Sequence, residues 1–174
     1  VTAEMIAYRG DRLPVSLMPA DGTYPAGTTK FEKRNIALEI PVWDQAICIQ
    51  CNKCAMVCPH AAIRAKVYPA PALKGAPAPF LSVDYKGNEY KGQKYTIQVA
   101  PEDCTGCGEC VQICPGRDKA NAGRKAINMA FQPPLRDQER ENYRFFLGIP
   151  DPDRSEVRVN SVKGSQLLRP LFEY

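Results

Sequence analysis

The chain has 174 residues, of which 44% are apolar and 24% charged, so an intrinsically disordered protein is excluded and one domain with flanking arms is expected. Eight cysteines are too few for a disulfide scaffold, and no apolar run is long enough to cross a membrane. The net charge of +4 comes from scattered lysines and arginines without an RNA-binding aromatic motif, so nucleic acid is not an expected partner.

The first residues predict an irregular arm. Residues 1–20 contain charged side chains and no continuous apolar core, so no signal peptide is predicted and a cytoplasmic location is expected. The chain begins with Val1 rather than Met, which suggests a fragment or a processed product. Turn residues dominate as far as residue 34, which is typical of an arm that wraps another surface.

A strand is predicted over residues 36–43, because Ile36, Leu38 and Ile40 alternate with less apolar residues. The first of two cysteine runs follows this strand. Behind that run, Pro59 suits the first position of a helix, so a helix of about two turns is predicted over residues 60–66. The proline-rich segment 68–79 is interpreted as a stiff surface loop rather than as a polyproline ligand.

Two strands are predicted over residues 80–85 and 94–99, as a hairpin inserted between the cysteine runs. Beyond the second run, eight extra residues precede Ala126 and Ile127, which predicts a surface bulge. A helix is predicted over residues 135–147, because its composition is helical and Pro150 and Pro152 follow it. The remainder is expected to be extended.

The cysteines form two runs of the pattern C-x2-C-x2-C-x3-C-P with identical spacing, which indicates an internal duplication. This spacing is typical of [4Fe–4S] clusters, since one tight loop presents three thiolates to three irons of a cube. In two-cluster proteins the fourth cysteine of each run ligates the other cluster. The expected ligands are Cys48, Cys51, Cys54 and Cys114 for cluster I, and Cys104, Cys107, Cys110 and Cys58 for cluster II.

Other uses of these cysteines fit the pattern less well. A zinc module uses two C-x2-C pairs, so a third cysteine at the same gap would be redundant, and disulfides would require an oxidising compartment. His60 could ligate iron, but it is interpreted as a helix-surface side chain. The basic excess lies within residues 41–131, and we expect residues such as Lys53 and Arg64 to counter part of the negative charge of the clusters.

Four further segments carry a resemblance to a known family: DGTYPAGTTKFEKRNIALEIPVWD before Cys48, VAPEDCTGCGECVQICPG, RDQERENYRFFLGIP and VKGSQLLRPLFEY. The cysteine runs alone resemble bacterial two-cluster ferredoxins. Together with the flanking segments, nearly the whole chain resembles pyruvate:ferredoxin (flavodoxin) oxidoreductase of the single-chain, homodimeric type.

The resemblance implies an α+β, pseudo-twofold ferredoxin-like fold with two [4Fe–4S] clusters, an inserted hairpin and extended arms. It implies that residues 1–40 form an arm on the parent enzyme and that residues 41–131 form the ferredoxin-like domain. Residues 132–174 would contain a helix and a linker that leads to a thiamine-diphosphate domain.

The resemblance also implies a function. The complete enzyme cleaves pyruvate with coenzyme A into acetyl-CoA, carbon dioxide and low-potential electrons, and thiamine diphosphate, magnesium and a third [4Fe–4S] cluster lie on other domains. This chain would relay the electrons to ferredoxin or flavodoxin and would contain no catalytic residue. A stand-alone ferredoxin, or the same module of an oxidoreductase for another 2-oxo acid, remains an alternative.

Overall fold

The computed structural model describes residues 1–23, 33–121 and 123–168. The predicted turns within residues 24–32 and the closing residues 169–174 therefore lie outside the described residues. Two small antiparallel sheets and short helices give an α+β fold, the predicted class.

The elements follow one another in a simple order. Helix α1 spans Thr2–Ile6, strand β1 Glu39–Trp43, helix α2 Lys53–Val57, strand β2 Ile63–Tyr68, strand β3 Val83–Asp84, strand β4 Lys94–Val99, helix α3 Glu109–Ile113, strand β5 Ile127–Phe131, helix α4 Arg136–Gly148 and helix α5 Val162–Ser165. Short 3-10 turns lie at Gly10–Arg12, Val15–Leu17 and Ala70–Leu73. None of residues 1–23 is buried, so the beginning of the chain adds nothing to the core.

The two sheets join the two halves of the chain. Strand β1, which leads into the first cysteine run, pairs with β5, with Trp43 opposite Ile127. Strand β4, which leads into the second run, pairs with β2, with Val99 opposite Ile63, and β3 adds to its other edge. Each sheet therefore contains a strand from before one run and a strand from after the other.

The predicted helix over residues 60–66 is wrong, because strand β2 occupies most of that segment. All six β2 residues are buried and pair in register with β4, so the sheet satisfies their backbone groups. The predicted strand over residues 36–43 begins only at Glu39, and Ile36 and Leu38 are 58% and 76% exposed. The strand predicted over residues 80–85 is reduced to β3.

The later elements agree more closely with the sequence. Helix α4 lies within one residue of the predicted bounds. The expected bulge after Cys114 is a surface loop closed by a bridge between Arg117 and Lys125. The proline-rich loop packs on α4, where Tyr68, Phe80, Phe146 and Ile149 form a small second core. Buried Lys66 donates to the Ile149 carbonyl at 2.5 Å and ties the end of α4 to β2.

Candidate metal centre

The first cysteine run, residues 48–58, begins with a tight turn behind β1. The Cys48 amide donates to the Asp44 carbonyl at 3.2 Å, which brings the chain back over the end of the strand. The Gln50 amide then donates to Cys48 Sγ at 3.3 Å, and α2 carries Cys54 into the core. An inward-pointing amide and a buried thiol are what a loop around a sulfur-rich group requires.

The second run, residues 104–114, repeats the backbone hydrogen bonds of the first. The Cys104 amide donates to the Ala100 carbonyl at 3.1 Å, and the Gly106 amide donates to Cys104 Sγ at 3.4 Å. Helix α3 carries Cys110 in the position that α2 gives Cys54. The residue after each leading strand also makes the same kind of hydrogen bond in both halves. The Asp44 amide donates to the Ala126 carbonyl at 2.8 Å, and the Ala100 amide donates to the Ala62 carbonyl at 2.7 Å.

Two cavities lie inside these loops. The first cavity is lined by the thiol-bearing residues Cys48, Cys51, Cys54 and Cys114. The second cavity is lined by Cys58, Cys104, Cys107 and Cys110. Each cavity therefore contains three cysteines of one run and the fourth cysteine of the other.

The electrostatics of the thiols reflect the same grouping. Burial raises the pKa of Cys48, Cys54 and Cys104, and it raises the pKa of Cys110 to about 12. Charge on Cys114 raises the pKa of Cys48 further, and charge on Cys58 raises the pKa of Cys104 and Cys110. Without a cation these thiols stay protonated, so a metal group that binds them must displace protons.

The residues present fit a [4Fe–4S] cluster. All eight cysteines are free thiols, and four of them surround each cavity, as one thiolate per iron requires. Apolar neighbours, including Ile97 and Ile127 in the first cavity and Ile63 and Val99 in the second, complete the walls and keep water away. Within residues 1–23, 33–121 and 123–168, no group of three His, Cys, Asp or Glu side chains is arranged to hold a single metal ion.

The first loop also contains polar residues that sequence reasoning missed. Gln50 is 0% exposed and has a positive φ of 58°. Its side chain donates to the Asp84 carbonyl at 2.8 Å and accepts from the Lys86 amide at 2.7 Å. Lys86 Nζ in turn donates to the Cys48 carbonyl at 2.7 Å. The segment between the runs is thereby fastened to the first loop.

Asn52 connects the first loop to a second distant segment. It is 1% exposed, with a φ of 59°, and it lies at the start of α2. Its side chain donates to the Lys163 carbonyl in α5 at 2.7 Å and accepts from the Tyr95 hydroxyl in β4. Lys163 Nζ lies 4.0 Å from the centre of the Tyr85 ring, so α5 contacts the segment between the runs as well as the first loop.

The second loop has glycines at the corresponding positions. Gly106 and Gly108 have φ values of 74° and 77°, and they occupy the places that Gln50 and Asn52 have in the first run. Cys107 is exposed, whereas Cys51, at the corresponding position of the first run, is half-buried. A comparison of the two runs would have shown this difference in the sequence, because Gln and Asn replace glycine at positions that need the left-handed conformation.

Other predicted site residues are placed as follows. His60 is exposed in the turn before β2 rather than on a helix, and it lines the second cavity. Lys53 is exposed on α2. Arg64 is buried against α4, 5.6 Å from the centre of the Phe146 ring and 3.5 Å from the Tyr143 hydroxyl.

Comparison with known proteins shows what the chain is similar to. Residues 40–115 match the 4Fe-4S dicluster domain, and residues 1–37 match a domain of unknown function. The chain is 58% identical over its full length to a pyruvate-flavodoxin oxidoreductase of Nostoc sp., covering 14% of that relative. It is 54% identical over its full length to a probable pyruvate-flavodoxin oxidoreductase of Escherichia coli, covering 15% of it.

A pyruvate:ferredoxin oxidoreductase of Moorella thermoacetica is 46% identical over 97% of the chain, which covers 14% of that relative. The chain thus spans about one seventh of the length of these relatives. The part of the chain that the structure describes has no helix long and apolar enough to cross a membrane. The predicted resemblance is confirmed: the chain contains a 4Fe-4S dicluster domain and matches one segment of the pyruvate-flavodoxin oxidoreductases.

Proposed function

We propose that this chain is the electron-relay segment of a pyruvate:flavodoxin or pyruvate:ferredoxin oxidoreductase. The observation that carries the proposal is the pair of cavities, each lined by three cysteines of one run and the fourth of the other. The proposed ligands are Cys48, Cys51, Cys54 and Cys114 at the first cavity, and Cys104, Cys107, Cys110 and Cys58 at the second. When bound, a [4Fe–4S] cluster accepts and releases single electrons at low potential.

The residues of this chain hold and shield such groups. Backbone amides of Gln50 and Gly106 donate to thiol sulfurs, and α2 and α3 bury the side chains of Cys54 and Cys110. Helix α2, which carries Cys54, contacts helix α3, which carries Cys110, so the two sites are neighbours. Two adjacent sites are suited to passing electrons along the chain.

The proposal includes a pseudo-twofold arrangement and three regions. The matched turns, helices and strand pairings of the two cysteine runs support the pseudo-twofold relation. Residues 1–40 would form an arm on the parent enzyme, residues 41–131 the cluster domain, and residues 132–174 a helix and a linker. The exposed apolar side chains Ile6, Tyr8 and Val15 support the docking of the first arm.

The remaining chemistry is proposed for the rest of the enzyme. Oxidative decarboxylation of pyruvate would use thiamine diphosphate, magnesium and a third [4Fe–4S] cluster elsewhere in a cytoplasmic homodimer, with flavodoxin or ferredoxin as acceptor. The names of the matched relatives support this assignment. A stand-alone ferredoxin is not favoured, because the similarity extends through residues outside 40–115.

Single cysteine variants of the full enzyme, purified anaerobically, test the ligand sets. Cys58→Ser is expected to remove the cluster of the second cavity and to leave the first, and Cys114→Ser is the matched variant with the opposite result. Iron and sulfide content and the EPR spectrum of the reduced protein report the outcome. If Cys58→Ser instead removed the cluster of the first cavity, or Cys114→Ser that of the second, the exchange of ligands between the runs would be contradicted. A colourless wild-type protein that contains zinc would contradict the proposed function.

A further inference from the structure

One buried donor beside the first cavity has no partner in the fold. Trp43 ends β1 and is 5% exposed. Its Nε1 makes no hydrogen bond of normal geometry, and it is the only buried side-chain donor in this condition among the residues that the structure describes. A buried N–H without an acceptor destabilises the fold, so its retention calls for an explanation.

The fold turns this donor towards a cysteine. The Cys48 amide donates to the Asp44 carbonyl, so the chain reverses within five residues of Trp43 and places Cys48 beside the indole. Both side chains belong to the same buried core. The Cys48 thiol is the hydrogen-bond acceptor that the indole N–H approaches, at a geometry outside that of a normal hydrogen bond.

The direction of the indole is set by the core. Its ring meets Tyr95 edge to face, with the ring centres 5.9 Å apart and an interplanar angle of 70°. Trp43 also lies opposite Ile127 in the β1–β5 pair, which fixes its backbone. The ring therefore does not need to reorient to meet a charged sulfur at Cys48.

The second site lacks this donor. Val99 ends β4 in the corresponding position, since it precedes Cys104 at the same spacing as Trp43 precedes Cys48, and it has no side-chain N–H. The backbone donors are nearly equal, at 3.3 Å to Cys48 and 3.4 Å to Cys104. The indole is thus an addition to a pattern that the two sites otherwise share.

We propose that Trp43 is a positioning residue that donates its Nε1–H to the Cys48 thiolate and favours the reduced state of the first-cavity site. This inference rests on the proposed function. Reduction adds negative charge to the thiolate sulfurs, and a fixed N–H donor stabilises the more charged state more than the less charged one. The proton stays on the indole, so no proton is transferred.

The test compares Trp43→Phe with the wild type in the anaerobically purified full-length enzyme that contains its clusters. Phenylalanine keeps an aromatic ring against Tyr95 but removes the donor together with part of the bicyclic ring. We expect the reduction equilibrium constant of the first site to fall about tenfold, which is about 59 mV for a one-electron couple. The potential of the second site, assigned with Cys58→Ser and Cys114→Ser, is expected to stay unchanged.

Two further measurements separate this role from a structural one. Benzothienylalanine at position 43 keeps the bicyclic shape without the N–H and should give the same shift, even if phenylalanine disturbs cluster loading. Indole-15N labelling should give a hyperfine coupling in the reduced wild type that Trp43→Phe abolishes. Tyr95→Phe, which removes a nearby hydroxyl directed at Asn52, is the matched control and should shift the first site much less.

An unchanged first-site potential in both position-43 variants, with both clusters present, would overturn the role of Trp43 and leave the proposed function intact. Equal shifts at both sites, or an equal shift in Tyr95→Phe, would overturn it as well. A wild-type enzyme without iron–sulfur clusters would instead overturn the proposed function.

Discussion

The two cysteine loops share a backbone but differ in what holds them. In the first loop, Gln50 and Asn52 adopt the left-handed conformation at a cost of about 1–2 kcal/mol each, and their side chains bind segments far away in the sequence. In the second loop, Gly106 and Gly108 adopt it without strain and contribute no side chain. The same local geometry can thus be obtained by backbone freedom or by tertiary hydrogen bonds.

The difference also sets the exposure of the two sites. The first loop lies under the segment 84–86 and under α5, whereas the second loop leaves Cys107 exposed. The pseudo-twofold proposal therefore concerns the backbone, and the surroundings make the two sites unequal. The following predictions test how far that inequality extends.

The largest effect is expected for Asn52→Ala. It leaves the Tyr95 hydroxyl and the Lys163 carbonyl without their partner and keeps a strained φ, which should destabilise the first loop by about 3 kcal/mol. Gly108→Ala, with open space around the new Cβ, should cost only about 1–2 kcal/mol of backbone strain at the second loop. The rate at which visible absorbance bleaches in anaerobic guanidinium measures both, and equal rates would remove the contrast.

A smaller effect is expected for Gly164→Ala in α5. The new Cβ would clash with the Arg158 carbonyl oxygen, so α5 must shift, at a cost of about 1–3 kcal/mol. Hydrogen exchange should then increase at residues 50–52 and stay unchanged at residues 106–108. Gly148→Ala has nothing within 4 Å of the new Cβ and serves as the control. Unaltered exchange at residues 50–52 would show that α5 does not protect the first loop.

Oxidative damage should distinguish the two sites without mutation. Because Cys107 is exposed and its counterpart Cys51 is half-buried, ferricyanide should degrade the second-cavity cluster about tenfold faster than the first. The order in which the two sets of EPR signals disappear gives the measurement. Simultaneous loss of both sets of EPR signals would show that the exposure of Cys107 does not control the access of ferricyanide to the second site.

The smallest effect concerns the exposed charges at matched positions of α2 and α3. Lys53→Gln should lower the potential of the nearby first site slightly, and Glu109→Gln should raise that of the second. Both shifts should shrink as salt is added, since exposed charges are screened within about 10 Å at 0.1 M ionic strength. Shifts of the same sign, or shifts that salt leaves unchanged, would rule out this charge effect.

The sequence predicted the cysteine loops well, because the spacing of their ligands is a direct requirement of the chemistry. The α4 bounds were also predictable from composition and from Pro150. The helix predicted over residues 60–66 failed because Pro59 was taken as a helix start, and because β2 is buried on both faces and shows no alternation. The sequence around Arg64 and Lys66 does not reveal their partners. Arg64 contacts Tyr143 in α4 and Lys66 contacts Ile149 just after α4, and both partners are far away in the sequence.

Parts of the candidate site were present in the sequence but needed a comparison of its two halves. An alignment of the two cysteine runs shows three differences in residue type at corresponding positions: Trp43 and Val99, Gln50 and Gly106, and Asn52 and Gly108. Their partners could not be predicted, because Asp84, Tyr95 and Lys163 approach the first loop only through the tertiary fold.

The interleaved pairing of β1 with β5 and of β2 with β4 has a consequence for biosynthesis. A nascent chain that has emerged only as far as Tyr68 contains β1 and β2, one strand of each sheet, and can form neither sheet. The first cavity also needs Cys114, and the second needs Cys104, Cys107 and Cys110, so neither is complete until the second run has left the ribosome. Metal loading must therefore wait until both runs have been made, and the two sites become competent within the same short interval of translation.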